Sequence, residues 1–378
     1  MRIHQVITSV LEKYGGPSYS VPALCRSLQA GGQDVTLHTY APAPRIDACN
    51  FRVRTYHRTA FAPRIGLSWD MPIGLRRAAR SGEIMHVHGL WRLSNVLPAV
   101  AVRGTRCRLV VSPRGMLDAW SLAQSARVKR VMWKLAQGPA VRSAALLHAT
   151  ASSEAEGLRA LGLDAPIAIV PNGVDVPDVA ELAHFSGAPR KLLFLSRLHP
   201  KKGVDVLLRA WARVQVRFAD WELEIVGPDD QGYLAQLQAL ARELSVQRVS
   251  FLPAAYGDEK ARHYRAAQLY VLPTHSENFG MGIAEALAYG VPVIAGHGAP
   301  WSALVRERAG YHVPSDVESV TACLETALAL SPAELREMGE RGRAYVVREF
   351  SWPGVARTLG ECYAWLAHGG PAPACVQR

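Results

Sequence analysis

The chain has 378 residues, of which 49% are hydrophobic and 20% are charged. This composition excludes a disordered chain, a collagen-like chain and a disulfide scaffold, and the length predicts two domains. The formal net charge is +11, and all of the excess lies in residues 1–180, which hold 22 basic and 11 acidic side chains. A basic half of this kind attracts nucleic acid, anionic lipid headgroups or phosphorylated substrates.

Short apolar segments rich in β-branched residues alternate with helical patterns along the chain. In the first half, strands are predicted over residues 3–8, 35–39, 84–88, 109–112, 145–149 and 167–170. In the second half, strands are predicted over 192–195, 223–226, 249–252, 269–272 and 291–295, with helices over 204–218, 233–244, 258–265 and 282–289. Continuous apolar strands separated by helices indicate parallel sheets covered on both faces. The predicted fold class is α/β, with two doubly wound, Rossmann-like domains.

The segment between Asp175 and Arg190 has loop composition and predicts the domain boundary. We expect an N-terminal domain over 1–180, a C-terminal domain over 181–350, and a helix and tail over 351–378 that can cross back to the N-terminal domain. The tail after this helix is predicted to fray. Six scattered cysteines without a C-x-x-C pair suit a cytoplasmic protein, and no segment predicts a membrane span.

Two loop motifs have the features of anion sites. Gly15 and Gly16 follow the first strand and open a helix, so their backbone can approach a phosphate, although an ordinary tight turn fits equally well. Arg197 and Lys202 follow the strand over 192–195, and two cations about one turn apart suit a diphosphate. The sequence contains neither G-x-G-x-x-G nor a Walker motif, which disfavours a dinucleotide dehydrogenase and a P-loop enzyme.

Glu277 and Glu285 stand eight residues apart in the segment SENFGMGIAE. The pattern predicts Glu277 in the loop after the strand over 269–272, and Glu285 about one turn into the next helix. Because a carboxylate can accept hydrogen bonds from two adjacent hydroxyls, the pair indicates a polyol ligand such as a hexose or a ribose. Backbone N–H groups of Asn278, Phe279 and Gly280 can hold an anion beside them.

Two further features have more than one interpretation. His86 and His88 end the strand over 84–88, where they can serve as metal ligands, structural groups or substrate contacts, and no carboxylate motif completes a metal site. The segment Ala126–Arg142 mixes basic and apolar residues. It predicts either a helix on a membrane surface or a core-facing helix with a solvated basic side.

Taken in chain order, these motifs resemble those of glycosyltransferase family 4, whose members are retaining enzymes with the GT-B fold. The resemblance rests on Gly15-Gly16, His88, Arg197, Lys202 and the pair Glu277/Glu285, and on the segments PNGVD and FSW. The segments VHGLW and SPRGML resemble the branch that builds bacterial surface polysaccharides.

The resemblance implies a role for each motif. It assigns Arg197 and Lys202 to the donor diphosphate, Glu285 to the donor ribose, and Glu277 to a hydroxyl of the donor sugar beside the backbone of Asn278, Phe279 and Gly280. It also places Gly15 and Gly16 near the diphosphate, His88 in the sugar pocket and Arg114 at the acceptor. Glu277, His88, Arg197 and Lys202 are then the catalytic set.

The implied function is transfer of a hexose, with retention, from a UDP- or GDP-sugar to a saccharide acceptor in lipopolysaccharide or exopolysaccharide synthesis. The acceptor is expected to be lipid-linked, and the basic N-terminal half to contact the cytoplasmic face of the inner membrane. No metal or other cofactor is expected. A nucleotide-sugar epimerase on a similar fold is the alternative. Nucleic acid is not an expected partner, because no nucleic-acid-binding motif accompanies the basic charge.

Overall fold

The computed structural model describes residues 1–11, 16–43, 50–59, 66–118, 126–183, 185 and 189–378. It divides into two compact units, the first formed by Met1–Gly173 with Trp352–Arg378 and the second by Val174–Ser351. The division falls a few residues before the predicted boundary, and the C-terminal segment belongs to the first unit. Among the helices of these described ranges, none combines the length and the apolar character needed to cross a bilayer.

The first unit is built on an eight-stranded sheet. Its strands are β1 (Arg2–Ile7), β2 (Asp34–Tyr40), β3 (Arg52–Tyr56), β4 (Ile84–His88), β5 (Arg108–Ser112), β6 (Leu146–Ala149), β7 (Ile167–Ile169) and, at the end of the chain, β14 (Val376–Gln377). Their order is β14-β7-β6-β5-β4-β1-β2-β3. All neighbouring pairs are parallel except β14 with β7. The tail is therefore not frayed as predicted, because Val376 and Gln377 pair with the edge of the sheet.

Helices cover this sheet, and the burial beneath them explains why its strands are continuously apolar. They are α1 (Gly16–Ala30), α2 (Asp70–Ser81), α3 (Leu93–Ala101), α4 (Ala126–Met132), α5 (Gly138–Arg142), α6 (Ser152–Ala160) and α14 (Trp352–His368), with a π-helical turn, Trp133–Gln137, between α4 and α5. The last helix, α14, packs on α1 and buries Leu359 and Tyr363 in the apolar layer over β1 and β4. The chain's last helix thereby becomes part of the first unit's core.

The second unit contains a six-stranded, fully parallel sheet. Its strands are β8 (Arg190–Leu195), β9 (Trp221–Val226), β10 (Val249–Leu252), β11 (Leu269–Leu272), β12 (Val293–Gly296) and β13 (Gly310–Val313), in the order β10-β9-β8-β11-β12-β13. Its helices are α7 (Val204–Val214), α8 (Tyr233–Glu243), α9 (Gly257–Ala266), α10 (Met281–Ala288), α11 (Ala303–Arg306), α12 (Val317–Leu328) and α13 (Pro332–Phe350). Trp211, Trp221 and Trp301 are fully buried in its core.

The predicted α/β class and the two Rossmann-like sheets are confirmed. Besides β14, the prediction omitted β3 and β13, and each of these two strands lies at an edge of its sheet. An edge strand has a neighbouring strand on one side only, and its other side is open to solvent. In β3, Arg52, Arg54 and Thr55 are exposed, so the strand lacks the continuous apolar run that marks a central strand.

Candidate functional site

Each sheet has a point where the strand order reverses, and the loops there leave a crevice for a ligand. In the second unit this point lies between β8 and β11, which are parallel neighbours in the sheet. Arg197 and Lys202 follow β8, and Glu277 follows β11. The structure thus brings the two predicted loop motifs of this unit to one edge of its sheet, although 75 residues separate Lys202 from Glu277 in sequence.

Gly203 allows these two loops to pack closely. Its φ of 70° lies in the left-handed region, and a Cβ at this position would collide with the carbonyl oxygen of Pro273. The backbone carbonyl of Lys201 accepts hydrogen bonds from the Thr274 hydroxyl at 3.0 Å and the His275 N–H at 2.9 Å. The loop after β8 is therefore fastened directly to the loop after β11.

Lys202 and Glu277 form an ion pair at this junction. The Lys202 ammonium donates to Glu277 Oε1, and the two side chains are only 11% and 13% exposed. Glu277 is held further by its backbone N–H, which donates to the carbonyl of Gly298 at 2.7 Å. A charge withdrawn from water needs a partner, and the two groups neutralise each other in the structure.

Arg197 lies on the outer side of the same loop. Its guanidinium is 56% exposed and pairs with Asp230 at 3.1 Å. Asp230 belongs to the loop after β9, which the sequence did not connect with the site. An exposed ion pair of this kind contributes little to stability, so a multiply charged anion can replace Asp230 at low cost.

Glu285 is held from a neighbouring helix. Its Oε1 accepts from the Lys260 ammonium at 2.6 Å and its Oε2 from the Tyr264 hydroxyl at 2.8 Å. Burial, followed by the Glu285 charge, raises the pKa of Tyr264 well above its ordinary value, so the hydroxyl remains a donor. Sequence reasoning missed Lys260 and Tyr264. Their four-residue spacing on α9 places both on one helix face, but nothing in the sequence indicates which carboxylate that face meets.

The residues between the two glutamates form the turn into α10. Phe279 is buried against Trp301 and Phe350, and its carbonyl accepts a hydrogen bond from the Trp301 indole. Gly280 has a φ of 85° and immediately precedes α10, while Asn278 is half-buried before it. The Phe279 side chain is thus a core anchor and is not available to a ligand.

The predicted glycines of the first unit are only partly described. Gly15 lies outside the described residues. Gly16 is the exposed first residue of α1, and the position that a Cβ would occupy is open. The space around Gly16 therefore leaves room for a ligand group, while its helical conformation does not itself require glycine.

His88 and Arg114 form a polar pair in the first unit. His88 is 2% exposed, with Nε2 2.6 Å from Gln5 Oε1 and Nδ1 3.1 Å from an Arg114 Nη. The other Nη of Arg114 donates to Asn172. Burial, then the charge that His86 would carry, lowers the pKa of His88 well below its ordinary value, and burial lowers that of Arg114 to about 10. His88 is therefore a neutral ring held on both nitrogens.

His86 is also bonded through both ring nitrogens, to Tyr363 and Ser112, at 2.6 Å each. Within the described ranges, no group of three or more His, Cys, Asp or Glu side chains is arranged to hold a metal ion. The H-x-H pattern thus places two histidines in a hydrogen-bonded core, with His88 next to Arg114.

Two family models match the chain, one on each unit. Residues 15–173 match "Glycosyl transferase 4-like domain" and residues 183–345 match "Glycosyl transferases group 1".

Curated relatives match over part of the chain. The phosphatidyl-myo-inositol mannosyltransferase of Mycobacterium tuberculosis is 34% identical over 222 residues, which are 56% of this chain and 57% of that protein. The GDP-mannose-dependent alpha-(1-6)-phosphatidylinositol monomannoside mannosyltransferase of Mycolicibacterium smegmatis is 29% identical over 72% of this chain and 73% of its own. The chain thus spans a little more than half the length of the first of these relatives.

Solved structures match over nearly the whole chain. Sucrose-phosphate synthase from Thermosynechococcus elongatus has a TM-score of 0.76 at 20% identity, covering 97% of this chain and 98% of its own. The Anabaena protein HepE in complex with UDP and glucose has a TM-score of 0.75 at 18% identity, covering 96% and 98%. With both halves matched by glycosyltransferase models and the fold shared with GT-B glycosyltransferases, the chain belongs to the family 4-like glycosyltransferases.

Proposed function

We propose that the protein transfers a hexose, with retention of anomeric configuration, from a nucleotide-diphosphate sugar to a saccharide acceptor. The observation that carries this proposal is the Lys202–Glu277 pair at the strand reversal of the second unit, with Glu285 on the helix that follows. Cations and carboxylates in one loop cluster match the two chemical halves of such a donor, the diphosphate and the hydroxyl-bearing sugars. The epimerase alternative finds no support among the matching proteins.

In this mechanism Lys202 and Arg197 exchange their carboxylate partners for the donor diphosphate. Negative charge grows on the diphosphate as the glycosidic bond breaks, so fixed cations stabilise the transition state more than the ground state. Glu277, released from Lys202, accepts a hydrogen bond from a sugar hydroxyl, and Glu285 accepts from the ribose. The leaving phosphate oxygen takes the proton of the acceptor hydroxyl on the same face of the sugar. Side-chain cations thus supply the charge that a metal would otherwise provide.

From the first unit, we assign Gly16 to the diphosphate, His88 to the sugar and Arg114 to the acceptor. Within the described residues, no carboxylate hydrogen-bonds to Arg114, whose partners are the uncharged groups of His88 and Asn172. The nearby Glu154 charge offsets only part of the effect of burial on the Arg114 pKa. A half-buried cation of this kind favours an anionic ligand. A phosphate-bearing, lipid-linked acceptor for polysaccharide synthesis supplies one, and the names of the mycobacterial relatives include phosphatidylinositol acceptors.

We further propose that α4 and the π-helical turn contact the cytoplasmic face of the inner membrane. Val128, Val131 and Leu135 are 62%, 58% and 74% exposed, and Arg130 and Lys134 are exposed among them. Exposed apolar side chains next to basic ones favour an anionic lipid surface. Sedimentation with phosphatidylglycerol vesicles tests this contact: the double substitution V131S/L135S should reduce binding, and equal binding to neutral phosphatidylcholine vesicles would contradict the electrostatic part.

The transfer function is tested with donor binding and product analysis. Calorimetric titration with UDP, GDP and their hexose conjugates identifies the base, since HepE was solved with UDP and the Mycolicibacterium relative is named for GDP-mannose. Lys202→Met and Glu277→Gln should each lower the transfer rate at least about 100-fold, whereas Lys201→Met, at the more exposed neighbouring position, should not. Near-wild-type rates in both site variants would contradict the mechanism, and an inverted product would contradict retention.

A further inference from the structure

A single chain of hydrogen bonds runs through the interior of the first unit. It joins Arg114 to His88, His88 to Gln5, Gln5 to Tyr363, Tyr363 to His86, His86 to Ser112, Ser112 to His148, and His148 to the carbonyl oxygen of Val170. Gln5, Tyr363, His86, Ser112 and His148 are all at most 1% exposed. The chain draws on β1, β4, β5, β6 and α14, and one of its ends is the His88–Arg114 pair.

The Val170 end sets the proton positions along half of the chain. A carbonyl only accepts, so His148 Nε2 carries the proton at 2.8 Å from Val170, and in a neutral ring Nδ1 then accepts from the Ser112 hydroxyl. Because the Ser112 proton is used, His86 Nε2 must donate to Ser112 at 2.6 Å, and His86 Nδ1 accepts from the Tyr363 hydroxyl at 2.6 Å.

The proton positions in the other half of the chain follow from the Arg114 end. A guanidinium only donates, so His88 Nδ1 accepts at 3.1 Å and His88 Nε2 donates to Gln5 Oε1 at 2.6 Å. The Gln5 amide nitrogen then donates to the Tyr363 oxygen at 3.2 Å. Both halves meet at Tyr363 without conflict, since its hydroxyl accepts from Gln5 and donates to His86. All donors point the same way only if the three histidines are neutral Nε2–H tautomers.

The electrostatics agree with this assignment. Burial lowers the pKa of His148 to about 3, and burial also lowers those of His86 and His88 well below the ordinary value. A second proton on His88 would face the Arg114 guanidinium at Nδ1, so a charged ring would break the chain at its functional end.

The Tyr363 hydroxyl connects the two halves of the chain, because it bonds to both Gln5 and His86. Tyr363 lies on α14, 191 residues after Asn172, the other partner of Arg114. Without its hydroxyl, the Gln5 amide loses the acceptor that orients it and His86 Nδ1 loses its donor. The amide can then turn by 180° and present its NH₂ group to the Nε2–H of His88, which is the wrong polarity for the observed tautomer.

We propose that Tyr363 is a positioning residue for sugar transfer, which orients the Gln5 amide and thereby holds His88 as the single Nε2–H tautomer bonded to Arg114. The proposal rests on the roles assigned above to His88 and Arg114. It gives α14 a part in the chemistry through a hydrogen bond, in addition to its apolar packing.

The test compares Tyr363→Phe with Leu359→Ala, a buried apolar position on the same helix one turn earlier. In ¹⁵N-histidine-labelled protein, His88 should show one Nε2–H tautomer in the wild type and in Leu359→Ala, and a mixture in Tyr363→Phe. The kcat of Tyr363→Phe should fall about tenfold, the equivalent of one oriented hydrogen bond. That of Leu359→Ala should stay within about twofold well below its unfolding temperature.

A double substitution separates positioning from general destabilisation. In a His88→Ala background, Tyr363→Phe should lower kcat no further, because the group through which it acts is gone. Independent, multiplicative losses would overturn the proposal, as would an unchanged His88 tautomer or an unchanged kcat in the single variant. If Tyr363→Phe does not fold, Gln5→Met removes the acceptor of the His88 Nε2–H, and its kcat should fall about tenfold; an unchanged kcat would then overturn the proposal. A wild type that transfers no sugar would overturn the proposed function, whereas the tautomer measurement judges the hydrogen-bond chain by itself.

Discussion

The first unit should lose stability in mild acid because it buries five neutral histidines. His4, His38, His86, His88 and His148 are each at most 5% exposed. Burial lowers the pKa of His38 and His148 to about 3 and that of His4 to about 4, and lowers those of His86 and His88 well below the ordinary value. All five therefore stay uncharged in the folded state when the pH falls to 5.5.

The sign and size of the effect follow from proton linkage. Below about pH 6.5 the unfolded chain binds protons at these rings and the folded chain does not, so stability falls as the pH falls. Between pH 7.5 and 5.5 each ring contributes a loss of about 1.4 kcal/mol, since its unfolded pKa is about 6.5. Five rings together give about 7 kcal/mol, which is comparable to the whole stability of a typical domain.

Urea unfolding followed by hydrogen exchange and mass spectrometry measures each unit separately. At pH 5.5, peptides from β4, β5 and β6 should become exposed at much lower urea than at pH 7.5, after correction for the intrinsic exchange rate. Peptides from β8 and β11 should shift less, because the described histidines of the second unit are exposed or half-buried. His148→Gln should remove about 1.4 kcal/mol of the pH dependence. A first unit as stable at pH 5.5 as at pH 7.5 would refute the reasoning.

Three substitutions test the second unit. Gly203→Ala should lower the free energy of unfolding by more than about 2 kcal/mol and weaken nucleotide binding at least about tenfold, because the added Cβ meets the Pro273 carbonyl. The control is Gly232→Ala, which has a φ of 79° and open space around it and should lose only about 1 kcal/mol, the cost of the backbone conformation. Equal losses of the two variants in urea unfolding would disprove the collision. Tyr264→Phe removes a hydrogen-bond donor to Glu285 and should weaken nucleotide binding about fivefold in calorimetry. An unchanged affinity would contradict the assignment of Glu285 to the ribose. Ser331→Ala should lower the free energy of unfolding by about 1 kcal/mol, because Ser331 and Glu334 form a capping box at the start of α13. Its nucleotide affinity should stay unchanged. No loss of stability on thermal unfolding would show that the cap is dispensable.

Much of the loop structure of the candidate site was predictable from local patterns. Strand β11 and the turn that follows it are encoded by a continuous apolar run followed by polar and glycine residues, so Glu277 could be placed after the strand and Glu285 in the next helix. The same reasoning placed Arg197 and Lys202 after β8. In a parallel sheet, residues that follow the strands reach the same edge, which is why strand position alone groups these side chains.

The partners of these residues were not predictable in the same way. Asp230, Lys260 and Tyr264 come from other loops and helices, and only the packing of those elements beside β8 and α10 decides which carboxylate or cation each one meets. Tyr363 is the clearest case, because it stands 277 residues from His86 and 358 from Gln5. The amino-acid sequence by itself determined the α/β elements, the motif loops and the family resemblance, since these depend on periodicity and short spacings. The tertiary structure decided which polar groups are buried together, because a hydrogen-bond partner is chosen by distance in space and not by separation along the chain.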